Sequence, residues 1–223
     1  MIEVMRADGI SGDIRLWPRG VDTERFSPAR RSADWRAAHG VGPDEVVVTY
    51  VSRFVKEKRV AETARVLARL NADGVPHRAV FVGDGPERGF LEKAAPEAIF
   101  TGFLTGDDLA VAYASSDIFL FPSDTETFGN VTLEAMASGL PTVCADATGS
   151  RSLVDPGVTG YLAAVGDEDT LYEEVAKLAV DAQLRRRMGE AARARSLLFS
   201  WEAAMGGLLA RYEAIAAEGR GAA

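Results

Sequence analysis

Short apolar runs alternate with longer segments of helical periodicity along most of this chain. The run at 46–51 is rich in apolar and β-branched residues, which is typical of a strand covered on both faces. Over 60–71, apolar residues recur on one side of a helical pattern. The same alternation predicts further strands at 79–82, 98–100, 117–121 and 141–144, and further helices at 90–95, 109–114 and 131–138.

Strands that alternate with helices at this spacing indicate βαβ units, and therefore an α/β fold with a parallel, doubly wound, Rossmann-like sheet. Gly139 follows the 131–138 pattern, at a position where glycine commonly ends a helix. From Thr170 onward we predict a helical C-terminal segment. We interpret the three arginines at 185–187 as a solvated helix face, because adjacent helix residues do not point the same way.

The start of the chain does not follow this alternation, because several glycines and prolines interrupt it. We therefore predict that residues 1–30 form an irregular connecting segment and that residues 31–223 form one domain. A chain of 223 residues is long enough for one large α/β domain with a sizeable core.

The charge balance restricts the partners of the protein. A formal net charge of −8 argues against nucleic acid as a partner. A phosphate site must then be local, built from a few cations and backbone N–H groups. The single cysteine, Cys144, excludes a disulfide scaffold, and we interpret it as a buried strand residue.

The sequence shows neither the pattern of a membrane span nor that of a signal peptide. No stretch approaches the roughly 18 consecutive apolar residues of a membrane span. The N-terminus also lacks the apolar core of a signal peptide. These observations predict a cytoplasmic location and leave a peripheral membrane association open.

The most informative segment follows the predicted strand at 117–121, at the edge of the sheet where ligands bind in open α/β folds. Phe128, Gly129 and Asn130 lie at the predicted helix start, where free N–H groups favour a phosphate. Glu126 lies in the preceding loop, and Glu134 lies about one turn into the helix. A carboxylate accepts hydrogen bonds from two neighbouring hydroxyls, which suits a ribose or a sugar. Taken alone, the two glutamates are better explained as a surface helix residue and a loop carboxylate.

Two cations follow the first predicted strand at the same edge of the sheet. Arg53 and Lys58 are placed to supply the positive charge that a diphosphate leaving group needs when its bond breaks. Lys56, between them, is interpreted as an ordinary surface cation. The two loops together predict an anion site with adjacent hydroxyl-binding groups.

These residues, taken in order, resemble the retaining, GT-B-fold glycosyltransferases of family four, also described as glycosyl transferases group 1. The resemblance runs from about Arg19 to Tyr212 and covers nearly all the chain. Each motif is short, but their ordered combination is specific. The motifs are Ser52-Arg53 with Glu57-Lys58, the segments 82–86 and 101–103, Glu126 with Glu134 eight residues beyond it, and the segments 137–141 and 155–160.

The resemblance implies that the chain is the C-terminal, donor-binding half of such an enzyme, and it implies a role for each site residue. Arg53 and Lys58 would hold the donor diphosphate, and Glu126 would bind the donor sugar. Glu134 would bind the ribose hydroxyls. Backbone at Phe103 and Leu104 would contact the nucleobase, and the backbone of Phe128, Gly129, Asn130 and Val131 would line the sugar and phosphate pocket. Ser52 stands where the family usually has glycine, which changes how closely this loop approaches the phosphates.

The family resemblance also implies the reaction. A hexose would move from a UDP- or GDP-sugar to an acceptor with retention of configuration, without a metal or other cofactor. An N-terminal acceptor-binding domain is expected as a partner, and this chain alone is expected to bind donor without transferring sugar. The segment 16–22, with its Trp-Pro-Arg, is similar to that of lipid-directed members, including sulfolipid synthases and mannosyltransferases that use GDP-mannose.

Three alternatives remain open from the residues themselves. The glycines at 83, 85 and 89 resemble a dinucleotide fingerprint, but their spacing is irregular and they are not in the first βα unit. A metal site is the second alternative, because Asp167 and Asp169 match a metal-binding pair, although acids at a helix start explain them more simply. His39 and His77 have no partners at metal spacing. A non-catalytic nucleotide-sugar-binding domain or an epimerase domain is the third alternative.

Overall fold

Six parallel strands form one sheet in the computed structural model, which describes residues 2–14, 19–126 and 128–221. The strands are β1 (Val47–Val51), β2 (Arg78–Val82), β3 (Ile99–Gly102), β4 (Ile118–Phe121), β5 (Thr142–Ala145) and β6 (Gly160–Ala163). The helices are α1 (Ile2–Ala7), α2 (Ala33–Ala38), α3 (Val60–Ala72), α4 (Arg88–Ala94), α5 (Gly106–Ala114), α6 (Asn130–Ala137), α7 (Thr148–Leu153), α8 (Glu168–Val180), α9 (Ala182–Ser196) and α10 (Trp201–Gly221).

The order of the strands across the sheet is β3-β2-β1-β4-β5-β6. The chain therefore winds outward in one direction from β1 and then returns to the middle to wind in the other direction from β4. Parallel pairing between Val48 and Ile118 joins the two halves. The loops that follow β1 and β4 border this switch point, which is where ligands bind in this class of sheet.

A cluster of aromatic rings lies directly beneath the switch point. Tyr50 on β1 and Phe119 and Phe121 on β4 are fully buried. The ring centroids of Tyr50 and Phe121 are 5.7 Å apart, and those of Phe119 and Phe121 are 5.5 Å apart. Such tightly packed side chains resist displacement. They therefore hold in place the ends of β1 and β4, from which the two loops start.

The predicted doubly wound α/β fold is confirmed, and all five predicted strands are present to within one or two residues. Cys144 is a buried residue of β5, as predicted, and burial raises its pKa to about 12.

The sequence pattern missed β6, which pairs with β5 at the edge of the sheet. Gly160 begins this strand, and a side chain there would collide with the carbonyl oxygen of Thr142. A short strand that begins with glycine for close packing carries little strand propensity.

The connecting segment is less irregular than predicted. Residues 2–7 form α1, so the prediction of irregular chain is wrong there. Val21 and Phe26 are buried in the core of the domain, and the Val21 N–H donates to the carbonyl oxygen of Phe199 at 2.8 Å. Residues 15–18, with the tryptophan and proline of the Trp-Pro-Arg motif, lie outside the described residues. The boundary at residue 30 stays a prediction.

The helical C-terminal segment is confirmed, with α8, α9 and α10 following one another. Arg187 is exposed, as predicted for a solvated face. Arg185 is half-buried, and its Nη1 donates to the carbonyl oxygens of Leu178 and Ala179 at the end of α8. The prediction is wrong for Arg185, because its guanidinium donates hydrogen bonds to carbonyls that the end of α8 leaves without partners.

Across the described residues, no helix combines the length and the apolar character that crossing a membrane requires.

Candidate active site

The loops after β1 and β4 meet through an ion pair between two predicted site residues. The Lys58 ammonium lies 2.6 Å from Oε1 of Glu126, and the two side chains are only 14% and 17% exposed. Lys58 Nζ also donates to Thr125 Oγ1 at 3.2 Å. The residues are 68 positions apart in the chain. The ion pair therefore places a cation and a carboxylate of the predicted site side by side at the switch point.

Backbone contacts hold this junction in place. The Tyr50 hydroxyl donates to the carbonyl oxygen of Lys58 at 3.1 Å, and burial raises the pKa of Tyr50, so the phenol keeps its proton. Thr125 Oγ1 donates to the carbonyl oxygen of Glu57 at 3.3 Å. The β1 loop is thus anchored both to the core below it and to the β4 loop beside it.

The Arg53 side chain makes fewer contacts than that of Lys58. Its side chain is 73% exposed, and its contact is a 3.4 Å ion pair with Glu57. An exposed ion pair of this kind contributes about 0–1 kcal/mol. The guanidinium can therefore leave Glu57 for a ligand at the carboxyl edge of β1 at small energetic cost.

The start of α6 presents backbone N–H groups at the same edge of the sheet. Gly129 is the N-cap residue, with φ 90° and ψ 46°, and no side chain caps the first turn. Left-handed backbone of this kind favours glycine. Because the N–H groups of the first turn have no partner within the helix, they offer an anion site. Phe128, Asn130 and Val131 flank this start as predicted, whereas Thr127 lies outside the described residues.

Glu134 lies one turn into α6 and is half-buried. The hydroxyl of the buried Tyr113 donates to Glu134 Oε2 at 3.3 Å, and burial raises the pKa of Glu134 to about 7. The residue lines a cavity of about 190 Å³ together with residues of the connecting segment, α6 and α10: Gly20, Val21, Asp22, Arg25, Phe26, Asn130, Leu133 and Trp201. The connecting segment thus contributes one wall of this cavity, which the sequence did not predict.

Phe103 and Leu104 follow β3, two strands away from β1 in the sheet. The Phe103 side chain is 76% exposed, whereas Leu104 packs against the core. The Gly83 N–H donates to the Gly102 carbonyl at 2.8 Å and ties the ends of β2 and β3 together. The predicted nucleobase-contacting backbone therefore lies at the same carboxyl edge as Arg53 and Gly129.

Sequence reasoning missed a further link between the two loops, formed by Arg59. Its Nε lies 3.3 Å from Asp124 Oδ2, and its guanidinium also pairs with Glu62. Among the described residues, Arg59 is the one non-glycine residue with positive φ, at 52°. Such a conformation costs about 1–2 kcal/mol for an ordinary residue. No sequence signal distinguishes Arg59 from a surface cation, because its partner Asp124 is distant in the chain.

The glycines at 83 and 85 have a structural explanation that weakens the dinucleotide alternative. A side chain at Gly83 would collide with the Ser52 carbonyl, and one at Gly85 would collide with the Phe54 backbone. The following helix, α4, also has Glu87 as its N-cap residue, and a carboxylate there disfavours a second anion. These glycines allow the β1 loop to pack closely against the end of β2.

The acids at 167–169 serve the start of α8. Asp167 is the N-cap residue and accepts hydrogen bonds from Thr170 N at 3.0 Å and Thr170 Oγ1 at 2.7 Å. The interpretation as helix-start acids is therefore confirmed for Asp167. In the ranges 2–14, 19–126 and 128–221, no cluster of three or more histidine, cysteine or acidic side chains is arranged to hold a metal ion.

The family model described as glycosyl transferases group 1 matches residues 31–195. Sulfoquinovosyl transferase SQD2 of Arabidopsis thaliana is 39% identical over 200 residues, which are 87% of this chain and 38% of that protein. A GDP-mannose-dependent alpha-mannosyltransferase of Mycobacterium tuberculosis is 41% identical over 216 residues, covering 96% of this chain and 54% of that protein. The chain thus spans about half the length of these relatives, or less.

Solved structures also resemble this chain in fold. Sucrose-phosphate synthase from Thermosynechococcus elongatus superposes with a TM-score of 0.81 at 28% identity, over 96% of this chain and 57% of that one. Anabaena HepE, solved with UDP and glucose, gives a TM-score of 0.74 at 25% identity, over 87% of this chain and 55% of that one.

Proposed function

The chain belongs to the glycosyl transferases group 1 family, and from this premise we propose that it binds the nucleotide-sugar donor of a retaining hexosyltransferase. One observation carries the proposal: Lys58, Glu126 and the uncapped start of α6 lie together at the switch point of the sheet. A cation, a carboxylate and free N–H groups are the three kinds of group that a sugar linked to a diphosphate needs.

We propose that Arg53, Lys58 and the start of α6 bind the diphosphate. Arg53 is exposed and weakly engaged, so it can close on a ligand. Lys58 is already held in position by Glu126 and Thr125. When the bond between the sugar and the diphosphate breaks, negative charge grows on the leaving oxygen. Cations and helix N–H groups that are placed in advance stabilise that charge.

The sugar and the nucleoside are assigned to the carboxylates and to the end of β3. Oε1 of Glu126 accepts from Lys58, and we propose that its second oxygen accepts hydrogen bonds from sugar hydroxyls. We propose that Glu134, which faces the 190 Å³ cavity, binds the ribose hydroxyls. Backbone at Phe103 and Leu104 would contact the base.

The reaction itself needs groups beyond those assigned here. We propose transfer with retention and without a metal, and we propose that an acceptor-binding domain must join this chain before transfer occurs. The relatives it matches are about twice as long, which is consistent with a second domain in them. Donor binding without transfer is therefore expected of the 223-residue chain. Measurable transfer by this chain alone would contradict the proposal. The cytoplasmic location and a peripheral membrane association stay predictions.

GDP-mannose is the first donor to test, because the name of the mycobacterial relative, 41% identical, specifies that donor. UDP-glucose is the second, because HepE has been solved with it. NADH tests the dinucleotide alternative. Calorimetric titration of all three should show binding of one nucleotide-sugar and none of NADH. Binding of NADH in preference to both nucleotide-sugars would overturn the proposed function.

Arg53→Ala should weaken binding of the preferred nucleotide-sugar by about tenfold to a hundredfold, because a charge-assisted hydrogen bond contributes about 1.5–3 kcal/mol. Lys56→Ala is the matched control, since Lys56 is an exposed cation of the same loop to which no role is assigned. Its affinity should stay within about twofold of the unsubstituted chain, as expected for a screened surface charge. Equal losses for the two variants in calorimetry would show that general charge, and not Arg53, attracts the diphosphate.

A further inference from the structure

Arg59 lies between the 3₁₀ turn Lys56–Lys58 and α3, in a backbone conformation that arginine seldom adopts. Its φ is 52° and its ψ is 32°, in the left-handed region where a Cβ atom is crowded. The Arg59 N–H ends the 3₁₀ turn by donating to the Lys56 carbonyl oxygen at 2.9 Å. Glycine would make the same turn of the chain without strain. The backbone therefore gives no reason for an arginine here, and we look for the reason in the contacts of its side chain.

The Arg59 guanidinium bridges two carboxylates from different parts of the fold. Its Nη1 donates to Oε1 of Glu62, in the first turn of α3, and its Nε lies 3.3 Å from Oδ2 of Asp124, in the loop after β4. Side-chain exposure falls from 34% at Asp124 to 27% at Arg59 and 12% at Glu62, so water screens the bridge only in part. Within the described part of the chain, Arg59 is the one cation that pairs with Asp124. The bridge therefore connects the β4 loop to the start of α3.

Arg59 and Asp124 are close neighbours of two proposed donor-site residues. Arg59 directly follows Lys58, and Asp124 precedes Glu126 by two positions. The Lys58–Glu126 pair and the Arg59–Asp124 pair thus both join the β1 loop to the β4 loop. A bound diphosphate would compete with Glu126 for the Lys58 ammonium and weaken the first pair. The second pair has no assigned contact with the donor, so it would persist when the donor binds.

We propose that Arg59 is a positioning residue of the donor site, which holds the β4 loop in place while Lys58 exchanges Glu126 for the donor diphosphate. This inference rests on the proposed function. Arg59 acts through Asp124, and the bridge keeps Thr125 and Glu126 in the arrangement that the sugar requires before it arrives. A loop that leaves this arrangement for part of the time binds its ligand more weakly, in proportion to the fraction that remains. Loss of the bridge should therefore weaken donor binding.

A purely structural role for Arg59 leads to a different expectation. If the side chain only stabilised the domain, its removal would lower the melting temperature and leave the donor affinity of the folded chain unchanged. Arg59→Gly separates the two cases, because it removes the bridge and relieves the backbone strain together. These effects on stability oppose each other, so the melting temperature should change by less than about 4 °C. Donor affinity has no such compensation.

Calorimetric titration of the 223-residue chain with GDP-mannose and UDP-glucose tests the proposal. Arg59→Gly should bind the preferred nucleotide-sugar about fivefold more weakly, the upper end of what an ion pair near the surface contributes. Asp124→Asn leaves the backbone at Arg59 unchanged and should give a similar loss. The double variant should lose no more than either single variant, because both substitutions remove the same bridge. Losses that add in the double variant would overturn the inference.

Arg69 is the matched control, because it also extends from α3 to an acid of another element, Asp169 on α8. That pair joins neither of the two loops, so Arg69→Ala should leave donor affinity within about twofold. Equal losses for Arg69→Ala and Arg59→Gly would overturn the inference in favour of general attraction by charge. Donor affinity within twofold in every variant would overturn the inference and leave the proposed function intact. Binding of neither nucleotide-sugar by the unsubstituted chain would contradict the proposed function, and the inference with it.

Hydrogen exchange in the free chain measures the order of the β4 loop directly. In both Arg59→Gly and Asp124→Asn, the amide of Thr125 should exchange about fivefold faster relative to the amides of β4, because the loop opens locally while the sheet does not. An equal acceleration at Thr125 and in β4 would indicate a loss of global stability. An unchanged rate at Thr125 would show that the bridge does not order the loop. Either of these results would overturn the inference.

Discussion

Glu134→Gln should stabilise the protein by up to about 3 kcal/mol above neutral pH, because one unit of pKa corresponds to about 1.4 kcal/mol. Burial raises the pKa of the Glu134 carboxyl from 4.5 to about 7. The folded state therefore binds this proton more tightly than the unfolded state does. Below pH 4.5 the carboxyl is protonated in both states, and it costs nothing to bury. As the pH rises from 4.5 through 7, the unfolded state ionises first and stability is lost. Glutamine has no proton to lose, so the variant should not show this decline.

Denaturant unfolding at several pH values measures this effect. The difference in unfolding free energy between the variant and the unsubstituted chain should grow between pH 4.5 and 7 and then level off. Glu190→Gln is the control, because Glu190 is exposed on α9, and it should give no comparable difference. A stability gain that does not change with pH would show that burial of the Glu134 carboxylate is not its cause.

The same substitution should weaken donor binding, since the proposed ribose contact is to the carboxylate. In the unsubstituted chain, affinity for the nucleotide-sugar should rise as the pH rises through about 7, because the carboxyl must ionise to accept two hydroxyl hydrogen bonds. In Glu134→Gln this rise should be absent. Calorimetric titrations at pH 6 and pH 8, about one unit on either side of the pKa, would test it. Identical pH dependence of the two proteins would disprove the ribose assignment.

Lys58→Met should lower the free energy of unfolding by about 2–3 kcal/mol, somewhat less than the 3–5 kcal/mol for a fully buried pair. The substitution leaves the Glu126 carboxylate, only 17% exposed, without its cation. Adding Glu126→Gln should restore much of the lost stability, because the unpaired charge is then gone. Neither variant should recover donor affinity, since both lack the ammonium proposed to bind the diphosphate.

A matched exposed pair provides the control for this experiment. Arg65 and Glu168 lie 2.6 Å apart, with side chains that are 53% and 35% exposed. Arg65→Met should cost at most about 1 kcal/mol, as surface ion pairs do, and donor affinity should be unchanged. If the double variant Lys58→Met with Glu126→Gln binds donor normally, Lys58 is a structural residue and not a ligand for the diphosphate.

Local sequence patterns determined the layout of the fold. The apolar runs and helical periodicities predicted five of the six strands and the order of the main helices, because burial on both faces of a parallel sheet requires continuous apolar residues. The same patterns placed Arg53 and Lys58 after β1, and Gly129 at the start of α6. Chain order alone therefore indicated an anion site at the carboxyl edge, and β6 was missed because a glycine-led edge strand has a weak local signal.

Only the tertiary structure decided how the site residues act on one another. Lys58 and Glu126 are 68 positions apart, and no local pattern shows that they form an ion pair. The raised pKa of Glu134 arises from its burial, against which the hydrogen bond from Tyr113 acts, and a helix position cannot reveal either. Arg185, half-buried against the end of α8, and the exposed Arg187 are two positions apart in the sequence. They differ because electrostatic and desolvation energies depend on distances in space, and these are set by the packing of elements that are far apart along the chain.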